Sequence, residues 1–168
     1  MAKLVKGDKF PDFTVDTHMK KGVKISEIVD GKPTALLVIR YIGCTVCRYD
    51  VHQIAVNYQK FVDRGLNVAV VMQSTAENVN KDLERTKETL PYPIVCDPEE
   101  KIYKELEILP AESMEALVGG DMAGLQAKGA RAARRGYVHG EYEGNEQQLP
   151  AFFFLAPDLT VKYAHYAK

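Results

Sequence analysis

A run of aliphatic residues that ends in a glycine and two closely spaced cysteines limits what this chain can fold into. Residues Leu36–Ile39 are all apolar, which is typical of a strand buried on both faces. Gly43 then breaks the run. The segment Cys44–Cys47 (Cys-Thr-Val-Cys) follows and precedes apolar residues at three- and four-residue steps, as on one face of a helix. The pattern predicts a strand, a tight turn and a helix, with two thiols at the start of the helix.

The position of the two cysteines indicates thiol redox chemistry. Free backbone N–H groups and the helix dipole stabilise negative charge at a helix N-terminus, so a thiolate there has a lowered pKa. A second cysteine three residues further on can form a disulfide with the first, which makes the oxidation of Cys44 and Cys47 reversible. The alternative is a pair of buried thiols without chemistry, which this sequence context favours less.

The composition argues against several classes of function. The chain has 168 residues and a net charge of −1, which fits a single domain and does not favour binding to nucleic acid or to an acidic membrane surface. No apolar segment has the length of a membrane span, no N-terminal run resembles a secretory signal, and three cysteines do not suggest a secreted disulfide framework. We therefore expect a cytoplasmic protein. The one dense basic cluster is interpreted as a solvated helix end: Arg131, Arg134 and Arg135.

Strands and helices alternate along most of the chain. Seven strands are predicted, at residues 13–17, 23–25, 36–39, 66–72, 91–96, 150–155 and 160–165. Helices are predicted from Ser26 as N-cap, from the cysteine motif to Gly65, from a capping box that begins at Ser74, and from Asp97 to Leu106. The strands on either side of the first long helix should be parallel. The order predicts an α/β fold with a mixed sheet and helices on both faces.

Residues 109–149 are predicted to form an insert before the final hairpin of a single domain, 1–168. A helix is expected over 121–135, followed by a polar, aromatic and glycine-spaced loop over 137–145 that is too long for a simple connection. We expect no closing C-terminal helix after the final strand, which is predicted to end at 165. Unless the insert folds over them, the phenylalanines at 152–154 are then expected to lie exposed and to favour a homodimer.

Several segments resemble a known family. Gly7–Phe13, Ile25–Ile28 and Tyr92–Pro98 are similar to peroxiredoxins, and Arg40–Arg48 and His139–Pro150 resemble the peroxiredoxin-like branch of the alkyl hydroperoxide reductase/thiol-specific antioxidant family. The resemblance covers nearly the whole chain. It implies a thioredoxin-like fold and an antioxidant, thiol-dependent oxidoreductase.

The motif combines features of peroxiredoxins and thioredoxins. The family pattern has a proline seven residues, and a threonine or serine three residues, before the peroxide-attacking cysteine. Counted back from Cys47, these positions hold Arg40 and Cys44. Pro150 resembles the cis-proline that faces the two cysteines in thioredoxins, so we expect a cis Leu149–Pro150 bond. In the thioredoxin-like interpretation an exposed Cys44 attacks and Cys47 resolves, whereas in the peroxidase interpretation Cys47 attacks and Cys44 resolves.

Other residues are candidates for supporting roles. Arg40 and Arg48 could each stabilise a thiolate or orient a peroxide, although Arg48 could also be an exposed residue of the first helical turn. Thr45 lies between the cysteines and is included as a supporting residue. Cys96 is either a buried, inert thiol or a distal resolving cysteine. His139 belongs either to a lid over the thiols, together with Glu141, Glu143 and Asn145, or to a solvated surface loop.

Three classes of function remain open. The first is an oxidoreductase that reduces peroxides or exchanges disulfides, without a bound cofactor and with an external thiol reductant such as a thioredoxin-like donor. The second is a metal-binding module in which His139 joins the two thiolates. The third is a redox-silent interaction module of thioredoxin fold whose binding surface is the insert at 109–149.

Overall fold

The computed structural model describes residues 3–113, 117 and 122–168, and these form one seven-stranded sheet with helices on both sides. The strands are β1 (Thr14–Thr17), β2 (Val23–Lys24), β3 (Thr34–Val38), β4 (Asn67–Met72), β5 (Ile94–Cys96), β6 (Ala151–Leu155) and β7 (Val161–Tyr166). The helices are α1 (Ile25–Val29), α2 (Thr45–Val56), α3 (Tyr58–Asp63), α4 (Ala76–Thr86), α5 (Lys101–Glu105) and α6 (Met122–Arg134). None of the helices in these ranges is long and apolar enough to span a membrane.

The sheet is mixed, as predicted. Its strand order is β2-β1-β5-β4-β3-β6-β7. The central strands β3, β4 and β5 run parallel, while β6 pairs antiparallel with β3 and β7 pairs antiparallel with β6. On the other side β1 pairs antiparallel with β5 and with β2. This confirms the thioredoxin-like sheet and the parallel pair that flanks the first long helix.

Strand β3 separates two hydrophobic cores. Leu36 and Val38 point to one core, whereas Ala35 and Ile39 point to the other. Because side chains alternate across a strand and helices cover both faces of the sheet, the strand has no polar face. Both cysteines of the motif belong to the second core, beneath α2.

Several helix ends differ from those predicted, because neighbouring groups occupy the expected caps. Helix α1 begins after Lys24, and the Ser26 hydroxyl instead donates to the Asp12 carboxylate. Helix α4 is capped by Thr75 rather than Ser74, whose hydroxyl accepts the Ile42 N–H at 2.9 Å. Ser74 therefore holds the turn that leads to the cysteines. The helix predicted to run to Gly65 is interrupted at 57 and forms α2 and α3.

Arg48 lies in a buried network of charges and does not contact the thiols. Its side chain is 2% exposed, and its guanidinium donates to Asp82 and Glu88, each at 2.6 Å. The second oxygen of Glu88 contacts His52 Nδ1 at 2.8 Å, and the Tyr137 ring stacks on the guanidinium. The alternative in which Arg48 is an exposed first-turn residue is therefore wrong, because the apolar face of α2 turns it inward. The network ties α2 to α4 and to the end of the insert helix.

We expect Arg48→Met to lower the free energy of unfolding by about 3–5 kcal/mol, because it leaves Asp82 and Glu88 buried without their cation. Urea unfolding of the variant measures this loss. Arg64→Met, at the exposed residue that follows α3, is the matched control and should change stability by less than about 0.5 kcal/mol. An equal, small change in both variants would contradict the structural role of the network.

The same network gives stability a defined dependence on pH. Burial alone would raise the pKa of the Glu88 carboxyl, but hydrogen bonds from Arg48, His52 and Tyr137 outweigh burial and hold the pKa below its usual value of 4.5. The stability that this carboxylate contributes is thus present above pH 4.5 and is lost as the pH falls further. Glu88→Gln should unfold with a flatter dependence on pH in this acidic range than the parent.

Candidate active site

The two cysteines of the motif meet at the first turn of α2. Cys44 is the N-cap residue, and its carbonyl accepts the first helical hydrogen bond, from Arg48 N–H at 2.8 Å. Cys47 lies one turn further on. The two cysteines approach to 3.2 Å but are free thiols. The local structure follows from the sequence, since the chain leaves β3, turns through Gly43 and enters the helix at the cysteine.

One thiol of the pair stabilises the other as a thiolate. The Cys47 thiol donates to Cys44, and this hydrogen bond lowers the pKa of Cys44 to about 6 although burial opposes the shift. The positive charge of Arg40 and the backbone N–H groups of Val46 and Cys47 act in the same direction. The same hydrogen bond, together with burial, raises the pKa of Cys47 well above its ordinary value. The pKa of Cys44 is thus the lower of the two, so negative charge is favoured on Cys44 over Cys47.

Arg40 links the cysteine pair to the insert. It follows β3, and its guanidinium makes a hydrogen bond to Cys47 while Nη1 donates to the Glu146 carbonyl at 2.8 Å. The Glu146 carboxylate lies 3.8 Å from the same nitrogen. Burial would lower the pKa of Arg40, but the nearby thiols and Glu146 raise it, so the side chain remains a cation. Arg40 is thus placed to stabilise negative charge on either sulfur.

A loop of the insert, residues 137–149, covers the start of α2 and is called the cover loop below. Gly140 N–H donates to the Gly43 carbonyl at 2.9 Å, and a Cβ at position 43 would lie 2.5 Å from the Glu141 carbonyl oxygen. Only glycine permits this approach. Cys44 is 5% exposed beneath the loop, so the expectation of an exposed Cys44 is wrong. The physical reason is this backbone contact, which residue patterns do not show.

Buried amides anchor the cover loop to the sheet. Gln73, directly after β4, donates to the Gln148 side chain at 2.9 Å and accepts the Asn145 N–H at 2.8 Å. Gln148 in turn donates to the Ile108 carbonyl at 2.8 Å. Sequence reasoning missed both glutamines. The available signal was a glutamine immediately after six residues of a buried strand, where an unpaired amide is costly.

His139 lies in the cover loop and contacts a buried tyrosine. Tyr41 is fully buried, and its hydroxyl interacts with the Glu146 carboxylate and with His139 Nε2, the latter at 3.0 Å. The His139 ring stacks on Tyr142 with 4.2 Å between centroids. Burial, with the Glu146 contact, raises the pKa of Tyr41. Tyr41 and Glu146 were not predicted as site residues, although Tyr41 directly follows Arg40 in the motif.

Glu143 attaches the middle of the cover loop to α4. Its carboxylate oxygen Oε2 accepts the Thr75 N–H and an Asn78 side-chain N–H, each at 3.0 Å. A carboxylate at this position complements the positive end of the helix dipole. Of the residues predicted to form a lid, Glu141, Glu143 and Asn145 therefore lie against the strand ends and the helix starts that surround the thiols.

A cavity of about 720 Å³ lies between β3, α2 and α6 and reaches Cys47. Arg40, Gln148 and Pro150 also line it, whereas Cys44 does not. The Leu149–Pro150 bond is trans, so the expected cis-proline is wrong. The hydrogen bonds of the Gln148 side chain fix the chain two residues before Pro150, and β6 begins at the next residue, Ala151. Of the two cysteines of the motif, Cys47 is therefore the one that lines this cavity.

The remaining predicted residues lie away from this constellation or contribute little to it. Cys96 is on β5 and does not line the cavity, and burial raises the pKa of its thiol to about 12, which leaves it a poor nucleophile at neutral pH. Thr45, the first residue of α2, is half-buried. Within the described ranges no group of three or more histidine, cysteine, aspartate or glutamate side chains could hold a metal ion. His139 therefore does not complete a thiolate metal site.

Comparison with known proteins places these features in a family and a fold. Residues 6–164 match the sequence model of the AhpC/TSA family, whereas no curated protein matches the chain. A yeast mitochondrial 1-Cys peroxiredoxin is similar in structure, with a TM-score of 0.69 and 13% identity over 98% of this chain and 68% of that one. Peroxiredoxin 6 of Arenicola marina is also similar in structure, with a TM-score of 0.70 and 15% sequence identity over 98% of this chain and 65% of that one.

A thioredoxin-fold protein of another kind is also similar. A putative thiol:disulfide interchange protein DsbE from Chlorobium tepidum gives a TM-score of 0.61 and 18% identity over 97% of this chain and 86% of that one. At such identities the similarity establishes the fold. The chain spans about two thirds of the length of the two peroxiredoxins.

We expect Arg40→Met to raise the pKa of Cys44 from about 6 by roughly one unit, because the variant lacks the buried positive charge that favours the thiolate. The rate of Cys44 alkylation by iodoacetamide, followed from pH 5 to 9 with peptide mass mapping, gives the pKa directly. Arg64→Met should reproduce the parent profile. Coinciding profiles for Arg40→Met and the parent would show that Arg40 does not stabilise the thiolate.

We expect Gly43→Ala to displace the cover loop, because the added methyl group would lie 2.5 Å from a backbone oxygen. The free energy of unfolding should fall by about 1–3 kcal/mol, and alkylation of Cys44 at pH 8 should become faster. Gly129→Ala in α6 is the matched control, since its added methyl group meets open space. That control should be neutral or slightly stabilising. A parent-like Gly43→Ala in both measurements would contradict the covering contact.

Proposed function

Because the chain belongs to the AhpC/TSA family, we propose that it is a thiol-dependent oxidoreductase that reduces peroxides, with Cys47 as the attacking residue and Cys44 as the resolving residue. One observation carries the proposal. The open cavity reaches Cys47, which Arg40 contacts by a hydrogen bond and which lies 3.2 Å from Cys44. Attacking sulfur, activating cation and resolving sulfur thus occupy one small volume.

The first step oxidises Cys47. The Cys44 thiolate accepts the proton of the Cys47 thiol along their hydrogen bond, which moves the negative charge to Cys47 beside Arg40. The Cys47 sulfur attacks the outer oxygen of the peroxide, an S–O bond forms and the O–O bond breaks. The leaving alkoxide takes the proton from the Cys44 thiol and departs as the alcohol. Arg40 donates to the peroxide oxygens and stabilises their developing charge.

The second step forms the disulfide. The Cys44 thiolate attacks the Cys47 sulfur of the sulfenic acid, an S–S bond forms, and hydroxide leaves and is protonated to water. The short approach of the two residues makes this step intramolecular and requires little movement. An external dithiol, for example a thioredoxin-like protein, returns the pair to the reduced state and is itself oxidised to a disulfide.

Peroxide reduction fits the site better than exchange with protein disulfides. Both cysteines are 5% exposed, and the cover loop lies over Cys44, so a folded protein has little access to either sulfur. The trans bond before Pro150 removes the main argument for a thioredoxin-like substrate contact. The lowered pKa of Cys44 argues against a redox-silent module, because an inert buried thiol has a raised pKa, as Cys96 does.

The test is the intact mass of the reduced protein seconds after addition of one equivalent of hydrogen peroxide. We expect the parent to lose two hydrogens as the disulfide forms, and Cys44→Ser to gain one oxygen on Cys47 as a sulfenic acid. Cys47→Ser should remain unoxidised over the same time, because Cys44 does not line the cavity.

Cys96→Ser serves as the matched control and should behave like the parent, since its thiol lies outside the cavity. No change in the parent over minutes would overturn the peroxidase. Sulfenic acid trapped on Cys44 in the Cys47→Ser variant, with Cys44→Ser inert, would reverse the roles of the two cysteines.

A further inference from the structure

Glu146 contacts Arg40 through its backbone rather than through its charge. Arg40 Nη1 donates to the Glu146 carbonyl at 2.8 Å, whereas the carboxylate oxygen Oε2 of the same residue lies 3.8 Å from that nitrogen. A direct hydrogen bond between guanidinium and carboxylate would be shorter, at about 2.7–2.9 Å, and stronger than the bond to a neutral carbonyl. The carboxylate is therefore held away from the cation by another partner.

That partner is the hydroxyl of Tyr41. Tyr41 is fully buried, and its hydroxyl donates to the other carboxylate oxygen of Glu146, Oε1. A buried hydroxyl needs an acceptor inside the protein, since an unpaired one is costly. Burial and the carboxylate both raise the pKa of Tyr41, so the hydroxyl stays protonated and able to donate. The two oxygens of one carboxylate thus face different groups, Oε1 the tyrosine and Oε2 the arginine.

The division of the carboxylate matters because Arg40 also acts on the thiols. Its guanidinium makes a hydrogen bond to Cys47, and its positive charge adds to the hydrogen bond from Cys47 in lowering the pKa of Cys44. A carboxylate in direct contact would draw the guanidinium toward itself and offset most of its charge at the thiols. Glu146 and the two sulfurs therefore compete for one cation.

From these contacts we propose that Tyr41 is a positioning residue: its hydroxyl retains the Glu146 carboxylate and so leaves the charge of Arg40 to Cys44 and Cys47. The Glu146 carbonyl fixes the guanidinium by a bond to a neutral group, while the carboxylate is kept from contact distance. This inference rests on the proposed peroxide reduction and adds to it a residue that controls the activating cation.

His139 is the second neighbour of the Tyr41 hydroxyl. Its Nε2 atom lies 3.0 Å from the hydroxyl, and its Nδ1 atom lies 2.8 Å from the Gly140 carbonyl. A carbonyl only accepts, so Nδ1 carries a proton, and Nε2 either accepts from the tyrosine or carries a second proton and donates to it. Because Nε2 is 4.0 Å from Glu146 Oε1, His139 does not replace Tyr41 as the group that holds the carboxylate.

The first test measures the pKa of Cys44 from its rate of alkylation by iodoacetamide between pH 5 and 9. We expect Tyr41→Phe, which removes only the hydroxyl, to raise this pKa from about 6 by roughly half a unit, because the freed carboxylate moves onto Arg40. Tyr92→Phe is the matched control and should give the parent pKa. Its hydroxyl is also buried but donates to the Val51 carbonyl, at 2.6 Å, rather than to Glu146.

A second variant separates positioning from a general loss of structure. Glu146→Gln keeps the backbone carbonyl that binds Arg40 but removes the negative charge, so it should not raise the pKa of Cys44. The double variant Tyr41→Phe/Glu146→Gln should therefore behave like Glu146→Gln alone, since no carboxylate remains for the tyrosine to retain. Damage to the fold would instead accumulate in the double variant.

The same proteins are then compared for their rate of oxidation by hydrogen peroxide, followed by intact mass. Tyr41→Phe should react about threefold more slowly than the parent, because less of the charge of Arg40 is available to the attacking sulfur and the peroxide. The double variant should recover the rate of Glu146→Gln, and Tyr92→Phe should react like the parent.

The outcomes separate this inference from the proposed function. A parent-like pKa of Cys44 in Tyr41→Phe would overturn the role of Tyr41. A raised pKa that persists in the double variant would also overturn it, because the hydroxyl would then act otherwise than through Glu146. A parent that does not react with hydrogen peroxide would overturn the peroxidase, and the alkylation measurements would still decide whether Tyr41 controls the charge of Arg40 at the thiols.

Discussion

The hydrogen bond between the two thiols is the interaction around which the site is built. It allows one sulfur to hold a negative charge inside an apolar core, where an isolated thiolate would be strongly disfavoured. The two thiols lie close together because Cys44 is the N-cap residue of α2, directly after the turn that follows β3, and Cys47 lies one helical turn later. Arg40, at the end of the same strand, supplies the compensating charge. The end of β3 and the start of α2 thus position the two thiols and the cation on which the proposed redox chemistry depends.

The insert encloses this arrangement through contacts of four kinds. Gly140 N–H donates to the Gly43 carbonyl, and the Gln73 side chain donates to Gln148. The Glu143 carboxylate accepts the Thr75 N–H at the start of α4, and the Tyr137 ring stacks on the buried Arg48. Each contact uses a group that would be costly to bury alone, so the contacts stabilise one another. The consequence is a site closed on the side of Cys44 and open on the side of Cys47.

Much of the fold could be predicted because the spacing of apolar residues along the chain indicates which side chains are buried. The unbroken apolar run of β3, the amphipathic helix after it and the parallel pairing across that helix all follow from residue spacing. Tertiary contacts were not predictable in this way. The inward turn of Arg48, the covering of Cys44 and the use of Ser74 to hold a turn depend on residues 30 to 100 positions away. The trans bond before Pro150 differs from the expectation taken from a family resemblance.

The alternation of β3 between two cores has a consequence for how the length of such a chain can vary. A single residue added between 34 and 43 would exchange the members of the two cores and rotate the turn that carries Cys44. Residues added in the insert would alter neither core of the sheet. Insertions and deletions are thus expected to be absent from 34–47, where one added residue would disturb both cores and the turn that carries the cysteines together.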